Sequence, residues 1–348
     1  MQQLLKWYDR HKRAMPWRQT KNPYRIWISE IMLQQTQVDT VIPYYERFLT
    51  RFPTVQALAR APLETLLQFW SGLGYYSRAR NLHLAAQQIV AQHGGKIPND
   101  RKMLLALPGI GRYTVGAILS IAFGQQEPVL DGNVIRVLTR LHGIATDPKI
   151  PSTQEKLWSL AQGLARCSRP GDMNQALMEL GATVCLPTQA LCATCPLRKE
   201  CVALATHQVE NLPLKIQRQK SIKVHYVAAM IYHRGKVLLA KRPPAKHLGE
   251  MWEFPQWEIP KPLKSETIEK WLQKQLGVSV QLKKVLPAVQ HSIMNRRMTV
   301  TPVTCDFDSG KLKKNGYSAY VWRPIEALSK MATSSLNLKI RRSLPESA

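Results

Sequence analysis

Three groups of residues in this chain have side chains and spacings that could do chemistry. Four of its six cysteines stand at Cys185, Cys192, Cys195 and Cys201, a C-x6-C-x2-C-x5-C run. Four thiolates so close together can ligate zinc or a cubane iron–sulfur cluster. Structural zinc usually draws two close cysteine pairs, whereas a single C-x2-C with longer loops on both sides suits the wider cluster. Glu30 shares a helical stripe with Ile26 and Leu33. A carboxyl among apolar neighbours keeps its proton near neutrality, as a general acid must. Asp131 stands just ahead of a helical stripe of Val134, Val137, Leu138 and Leu141. By pattern alone, Glu30 is the polar edge of an amphipathic helix and Asp131 an N-cap.

The third group is Leu107-Pro108-Gly109-Ile110-Gly111, followed by an apolar run from Tyr113 to Phe123. Pro108 ends one helix, and Gly109 and Gly111 allow a tight turn at positive φ. The next helix opens at once, so its free amides and dipole face outward, where a phosphate fits without any side-chain charge. The same pattern also serves as an ordinary connection between helices.

These groups need a scaffold that can hold them. Residues 1–205 read as helical, with apolar residues at helical spacing in Leu82, Ala85, Ala86 and Ile89 and breaks at Arg51-Phe52-Pro53 and His93-Gly94-Gly95. Residues 206–223 read as a basic linker carrying Lys215, Arg218, Lys220 and Lys223. From Val224 the apolar runs shorten and branch: Val224–Tyr232 and Val237–Ala240 flank His233-Arg234-Gly235-Lys236, a hairpin signal, Ser265–Leu276 is helical, and Met298–Phe307 alternates like a strand. The expected architecture is a mostly α domain followed by an α+β domain at 224–348. No internal repeat or low-complexity tract is present.

At 348 residues and 45% hydrophobic content, two cored domains are the first expectation. Lys and Arg number 49 against 23 Asp and Glu, a formal charge of +26. So basic a globular chain suits a polyanion bound by counterion release from phosphates, while a solvated basic surface or a membrane surface would fit the same charge. The first residues carry Lys6, Arg10, Lys12 and Arg13 with no apolar run, unlike a secretory signal. No stretch is long enough to span a bilayer. The crowded cysteines then read as metal ligands in a reducing compartment, and a cytoplasmic, nucleoid-associated monomer is expected. Cys167 and Cys305 read as plain thiols.

Residues 107–133 resemble the hairpin, Gly/Pro-rich loop and aspartate of the helix-hairpin-helix base-excision DNA glycosylases. Pro16-Trp17-Arg18, Ser29–Gln37 and Gly72-Leu73-Gly74-Tyr75-Tyr76 extend the resemblance to the MutY adenine glycosylases, densely over about residues 4–205. The resemblance implies that Glu30 protonates the leaving adenine and that Asp131, beside Asn133, stabilises the cation developing on the sugar. It implies that Trp17, Arg18 and Gln175 line the adenine pocket, and that Gln35 and Tyr75 insert near the opposite base. Gly109 and Gly111 would hold DNA phosphate, and the four cysteines one [4Fe-4S] cluster. Tyr113 stands where the related endonuclease III enzymes carry a nucleophilic lysine. A phenol forms no Schiff base, so a monofunctional enzyme that leaves an abasic site is expected.

Residues 224–345 resemble the Nudix-like domain of the same enzymes, through Ala240–Pro244 and Trp252-Glu253-Phe254-Pro255. The helix from Glu266 to Leu276 offers only Glu266 and Glu269 and lacks the R-E-x-x-E-E arrangement that holds magnesium, so binding without hydrolysis is expected. Relatives inspect the opposite base through a Phe-Ser-His loop; here Ile293-Met294-Asn295 stands in its place, leaving Ser292 or Asn295 as substitute contacts. The expected partner is duplex DNA with adenine opposite 8-oxoguanine or guanine, with a reduced preference for the oxidised base. An endonuclease III-like pyrimidine glycosylase and a non-catalytic iron–sulfur DNA-binding protein are the alternatives.

Overall fold

Proline and polar caps punctuate the helices of the first part of the chain. In the computed structural model, which describes residues 1–214, 221–244, 249–293 and 295–344, twelve α-helices precede the first strand. They are α1 (Gln2–His11), α2 (Pro23–Leu33), α3 (Val38–Arg51), α4 (Val55–Arg60), α5 (Leu63–Trp70) and α6 (Ser77–His93). Then follow α7 (Arg101–Leu105), α8 (Arg112–Phe123), α9 (Gly132–Leu141), α10 (Pro151–Ala165), α11 (Pro170–Thr183) and α12 (Val202–Ala205). The side chain of Asn22 caps α2 by accepting from the Tyr24 and Arg25 amides, with Pro23 at the first helical position.

The chain divides into two compact units: Met1–Arg60 with Asn81–Gln217, and Ala61–Arg80 with Arg218–Ala348. The division cuts across chain order, because α5 and the loop after it pack with the C-terminal strands. In the first unit, the apolar faces of α1, α2, α8, α9, α10 and α11 share one core built on Leu4, Ile26, Val134, Leu138, Leu157 and Leu177. Burial on that scale is what fixes the helices, since each is too short to hold itself in water.

The second unit is a mixed sheet of eight strands: β1 (Ile222–His233), β2 (Lys236–Lys241), β3 (Trp252–Glu253), β4 (Gln256–Ile259), β5 (Val278–Val285), β6 (Val289–Ile293), β7 (Arg296–Gly310) and β8 (Ala319–Arg323). Helices α13 (Ser265–Leu276) and α14 (Ser335–Arg342) complete it. β1 runs parallel to β7 at the centre, from Ile222 opposite Arg296 to Tyr232 opposite Asp306. Successive β1 side chains serve opposite faces. Val224, Ala228 and Met230 join Leu336 and Ile340 of α14 on one side. Val227, Ala229 and Ile231 join Ile268, Leu272 and Leu276 of α13 on the other. The α+β expectation holds, as do the Arg234-Gly235 turn and the helix at Ser265–Leu276. Lys215, Arg218 and Lys220 of the expected linker lie outside the described residues. No helix among the described residues is long and apolar enough to cross a membrane.

Candidate active site

A cleft of about 640 Å³ opens in the first unit, with Glu30, Tyr113, Asp131 and Asn133 in its lining. Glu30 reaches it from the last turns of α2, Tyr113 from the first turn of α8, and Asp131 from the entry to α9. Glu30 is 5% exposed. The Tyr113 hydroxyl donates to its Oε2 at 2.6 Å. Burial pushes the Glu30 carboxyl up to about 7, with the charge of Asp131 adding to the rise while the Tyr113 hydrogen bond and Arg18 oppose it. Burial, then the charges of Glu30 and Asp131, carry the Tyr113 phenol far above its usual range, so it stays protonated and donating.

Asp131 lines the same cleft. It caps α9, its Oδ1 accepting from the Val134 amide at 2.7 Å. Its Oδ2 accepts from Asn133 Nδ2 at 3.0 Å. Burial raises its carboxyl, and the Val134 and Asn133 donors pull it back. The dipole of α9 adds to the positive field at that carboxylate. Arg136 extends the array. Its Nη2 donates to Asn133 Oδ1 at 2.8 Å and to the Gly181 carbonyl at 2.6 Å. Gly181 sits so close that a Cβ there would come within 2.6 Å of the Asn133 Cβ. The backbone of α11 therefore helps to aim Asn133, and through it Asp131.

The lining also holds Trp17, Arg18 and Gln175. Trp17 is buried and meets Tyr45 edge-on at 5.3 Å between ring centroids. Arg18 Nη2 is paired with Glu179 Oε2 at 2.8 Å, and Arg13 Nε meets Oε1 of the same carboxylate at 2.8 Å. Burial raises the Glu179 carboxyl, but the bonds from Arg13 and Arg18 outweigh it and hold it at about 2. Sequence reading missed Glu179. Its spacing of four residues from Gln175 on one face of α11 was the available sign. The lining holds two arginines and no lysine among the described residues.

At the hairpin only one glycine has the positive φ expected of both. Gly109 lies at φ 76, and a Cβ there would come within 2.7 Å of the Asn81 Cβ. Gly111 is instead the N-cap of α8 in extended backbone, at φ −97 and ψ 176, with no side-chain cap. A Cβ at Gly111 would meet nothing within 4 Å. Its value is an open approach to uncapped helix amides.

Gln35 and Tyr75 share an unexpected property. Among the described residues only six non-glycine positions have positive φ, and these two are among them, at 58 and 47. A left-handed backbone costs a non-glycine residue roughly 1–2 kcal/mol, and such strain concentrates at functional positions. Gln35 lines the cleft, whereas Tyr75 belongs to the second unit and is 52% exposed.

Cys185, Cys192, Cys195 and Cys201 line one small cavity of about 30 Å³ with Arg140 and Arg198. Among the described residues no group of three or more Cys, His, Asp or Glu side chains is placed to hold a single metal ion. Burial pushes the Cys195 thiol up to about 11, and the neighbouring thiols add to the rise. Four thiols around one cavity are the donor type that a metal cluster takes. Arg140, 2% exposed, ties the loop down: it donates to the carbonyls of Leu186 at 2.6 Å and Leu212 at 2.8 Å, and lies 3.4 Å from Cys185 Sγ. Arg136 Nε donates to the Cys185 carbonyl at 2.7 Å. One arginine thus links the cysteine loop to the Asn133–Asp131 pair.

In the second unit, Ser292 is exposed on β6 opposite Arg297, and Asn295 is exposed on the turn into β7. Met294, between them, lies outside the described residues. Glu269 of α13 accepts from the Leu282 amide at 2.7 Å, so one of that helix's two glutamates is bound to the sheet backbone.

The first part of the chain matches the HhH-GPD superfamily of base excision DNA repair proteins over residues 28–162, and residues 226–343 match a NUDIX domain. An adenine DNA glycosylase from Buchnera aphidicola subsp. Schizaphis graminum is 34% identical over 326 residues, 92% of this chain and 91% of its own length. The chain belongs to the adenine DNA glycosylase family. The rat adenine DNA glycosylase is 42% identical over 304 residues, 72% of this chain, and the chain spans only 59% of that relative's length. A solved thermostable thymine-DNA glycosylase superposes with TM-score 0.55 and 30% identity over 59% of this chain and 94% of its own. The family relationship reaches further, over 92% of this chain.

Burying Glu30 has a thermodynamic consequence. The folded protein holds that proton more tightly than the unfolded chain, whose glutamate titrates near about 4.3. Stability therefore falls as pH rises from the unfolded value through about 7, and the loss is complete above it. Glu30→Gln is expected to raise the stability of the protein at pH 8 by about 3 kcal/mol and to change it little at pH 4. Denaturant unfolding at the two pH values checks this; an equal effect at both would contradict it.

Proposed function

We propose that the chain is a monofunctional DNA glycosylase of base excision repair. It hydrolyses the N-glycosidic bond of adenine mispaired with 8-oxoguanine or guanine and leaves an abasic site. The observation that carries the reading is the Tyr113–Glu30 hydrogen bond of 2.6 Å in the cleft that also holds Asp131.

Glu30 at about 7 keeps a substantial protonated fraction at neutral pH and gives that proton to the departing base. Tyr113 holds the carboxyl in place. As positive charge develops on the deoxyribose, the Asp131 carboxylate, oriented by Asn133, stabilises it. Water then takes the place of the base. Trp17, Gln175 and the Arg18–Glu179 pair offer a flat apolar face with donors and acceptors suited to adenine's edges. A cleft lined by a phenol and arginines has no amine to form a Schiff base with the sugar. DNA enters through phosphate contacts at the uncapped N-terminus of α8, and the base must leave the stack to reach the cleft. Gln35 and Tyr75, both in strained left-handed backbone, fill the space it leaves.

The four thiols would hold a [4Fe-4S] cluster, which supplies structural order to the loop carrying Arg198 and Lys199 toward the DNA backbone. The Nudix-like domain binds without hydrolysing, with Ser292 or Asn295 as the contact to the opposite base. With Ile293-Met294-Asn295 in place of the relatives' Phe-Ser-His, the loop lacks the serine contact and the preference for 8-oxoguanine over guanine is reduced. Borohydride treatment during turnover is expected to trap no lysine–DNA adduct, and abasic product should accumulate intact until alkali cleaves it. A trapped adduct as main product would overturn the monofunctional reading.

A further inference from the structure

The loop that carries Tyr75 belongs to the C-terminal unit, although in sequence it lies within the helical domain. Its two ends converge on one carbonyl. The Ser71 hydroxyl donates to the Thr333 carbonyl at 2.8 Å, and the Tyr76 hydroxyl donates to the same oxygen at 2.8 Å. Tyr76 Oη in turn accepts from the Gly72 amide at 3.2 Å. Thr333 is fully buried just ahead of α14, where it forms a parallel bridge with Trp252 of β3. The Trp252 amide donates to the Ala332 carbonyl at 2.8 Å, and its indole donates to Glu64 of α5 at 3.1 Å. Arg80 Nη1 reaches the Gly249 carbonyl at 2.9 Å. Between the two clamped ends stands Tyr75, exposed and at positive φ, with the Arg78 guanidinium 5.4 Å from its ring.

A strained residue persists only where its surroundings over-determine it. Here part of that surrounding is the Thr333 carbonyl, which holds both ends of the loop. We propose that Ser71 and Tyr76 are positioning residues, which through the Thr333 carbonyl let the C-terminal domain set the pose of the Tyr75 wedge and thereby sharpen discrimination of the base opposite adenine. The inference rests on the proposed function for its wedge role. The domain so influences specificity without touching the lesion at that point.

The test uses the full chain with Ser71→Ala, Tyr76→Phe, the double variant and Ser71→Thr, which keeps the hydroxyl. Hydrogen exchange of the 71–76 amides in the free protein reads the clamp without any DNA chemistry, and should speed up at least tenfold in the double variant. Single-turnover release of adenine opposite 8-oxoguanine and guanine reads the consequence. We expect the ratio of the two rates to fall three- to tenfold in the double variant, with fluorescence of a 2-aminopurine beside the adenine reporting weaker unstacking. Ser71→Thr should restore most of the ratio. Unchanged exchange would overturn the clamp. Faster exchange with an unchanged rate ratio, whether or not melting temperature drops, would overturn the positioning role. If wild-type protein releases no adenine, the proposed function fails, while the exchange result still decides the clamp.

Discussion

Glu30→Gln should bring single-turnover base release down by about 10³-fold or more, at the upper part of the range for a lost general acid. The amide keeps the shape of the carboxyl and can still accept from Tyr113, whose hydroxyl now lies 2.6 Å from Oε2. What vanishes is the proton, held by a carboxyl that burial has moved to about 7. Asp131→Asn should cost a similar factor for the opposite reason, since it removes the negative charge that faces the developing cation. The Val134 amide can still donate to the remaining oxygen, so the cap and the fold should survive. Duplex affinity should stay within about threefold for both variants. Base release at near wild-type rate from either one would show that its carboxyl is not in the reaction. The wild-type rate should also decline as pH rises past about 7, following the Glu30 proton; a rate that climbs through neutrality would point to a general base instead.

The second large effect concerns the cysteines. Cys195→Ser should give protein that retains little iron and sulfide, and binds duplex DNA at least tenfold more weakly. The cost comes from the loop, not from the chemistry of the cleft. Arg136 joins the Cys185 carbonyl at 2.7 Å to Asn133 at 2.8 Å, so disorder at the thiols loosens the group that aims Asp131. Base release per bound duplex should therefore fall as well. Wild-type protein carrying stoichiometric zinc and no iron after anaerobic preparation would refute the cluster, and a Cys195→Ser variant with full iron and normal affinity would refute its structural role.

Much of the site was legible in the sequence because it depends on local rules. The apolar neighbours of Glu30 allow a buried acid, although pattern alone makes it the polar edge of a helix that its burial now excludes, and Asp131 ahead of Val134 and Val137 is legible as a cap. Both hold in the structure, and each residue also lines the cleft. The hairpin glycines were read as a pair, yet only Gly109 needs the left-handed region; local pattern does not reveal which glycine turns the chain and which keeps a helix end clear. Glu179, Arg136 and Arg140 escaped notice. Each lies on a helix whose periodicity reports burial but not partners, and each makes bonds to residues at least 45 positions away in sequence. The placement of residues 61–80 with the C-terminal strands was equally hidden. An apolar helix such as Leu63–Trp70 does not say which core it will join. The strain at Gln35 and Tyr75 could not be read at all, because a positive φ on such residues is imposed by tertiary contacts.

The most direct measurement is single-turnover product analysis on a duplex bearing one adenine opposite 8-oxoguanine, with adenine opposite guanine and opposite thymine alongside. We expect free adenine and an intact abasic strand from the first two duplexes, faster from the first, and no release from the paired adenine. Release of a pyrimidine, strand scission without alkali, or no base release from any duplex would contradict adenine excision by Glu30 and Asp131.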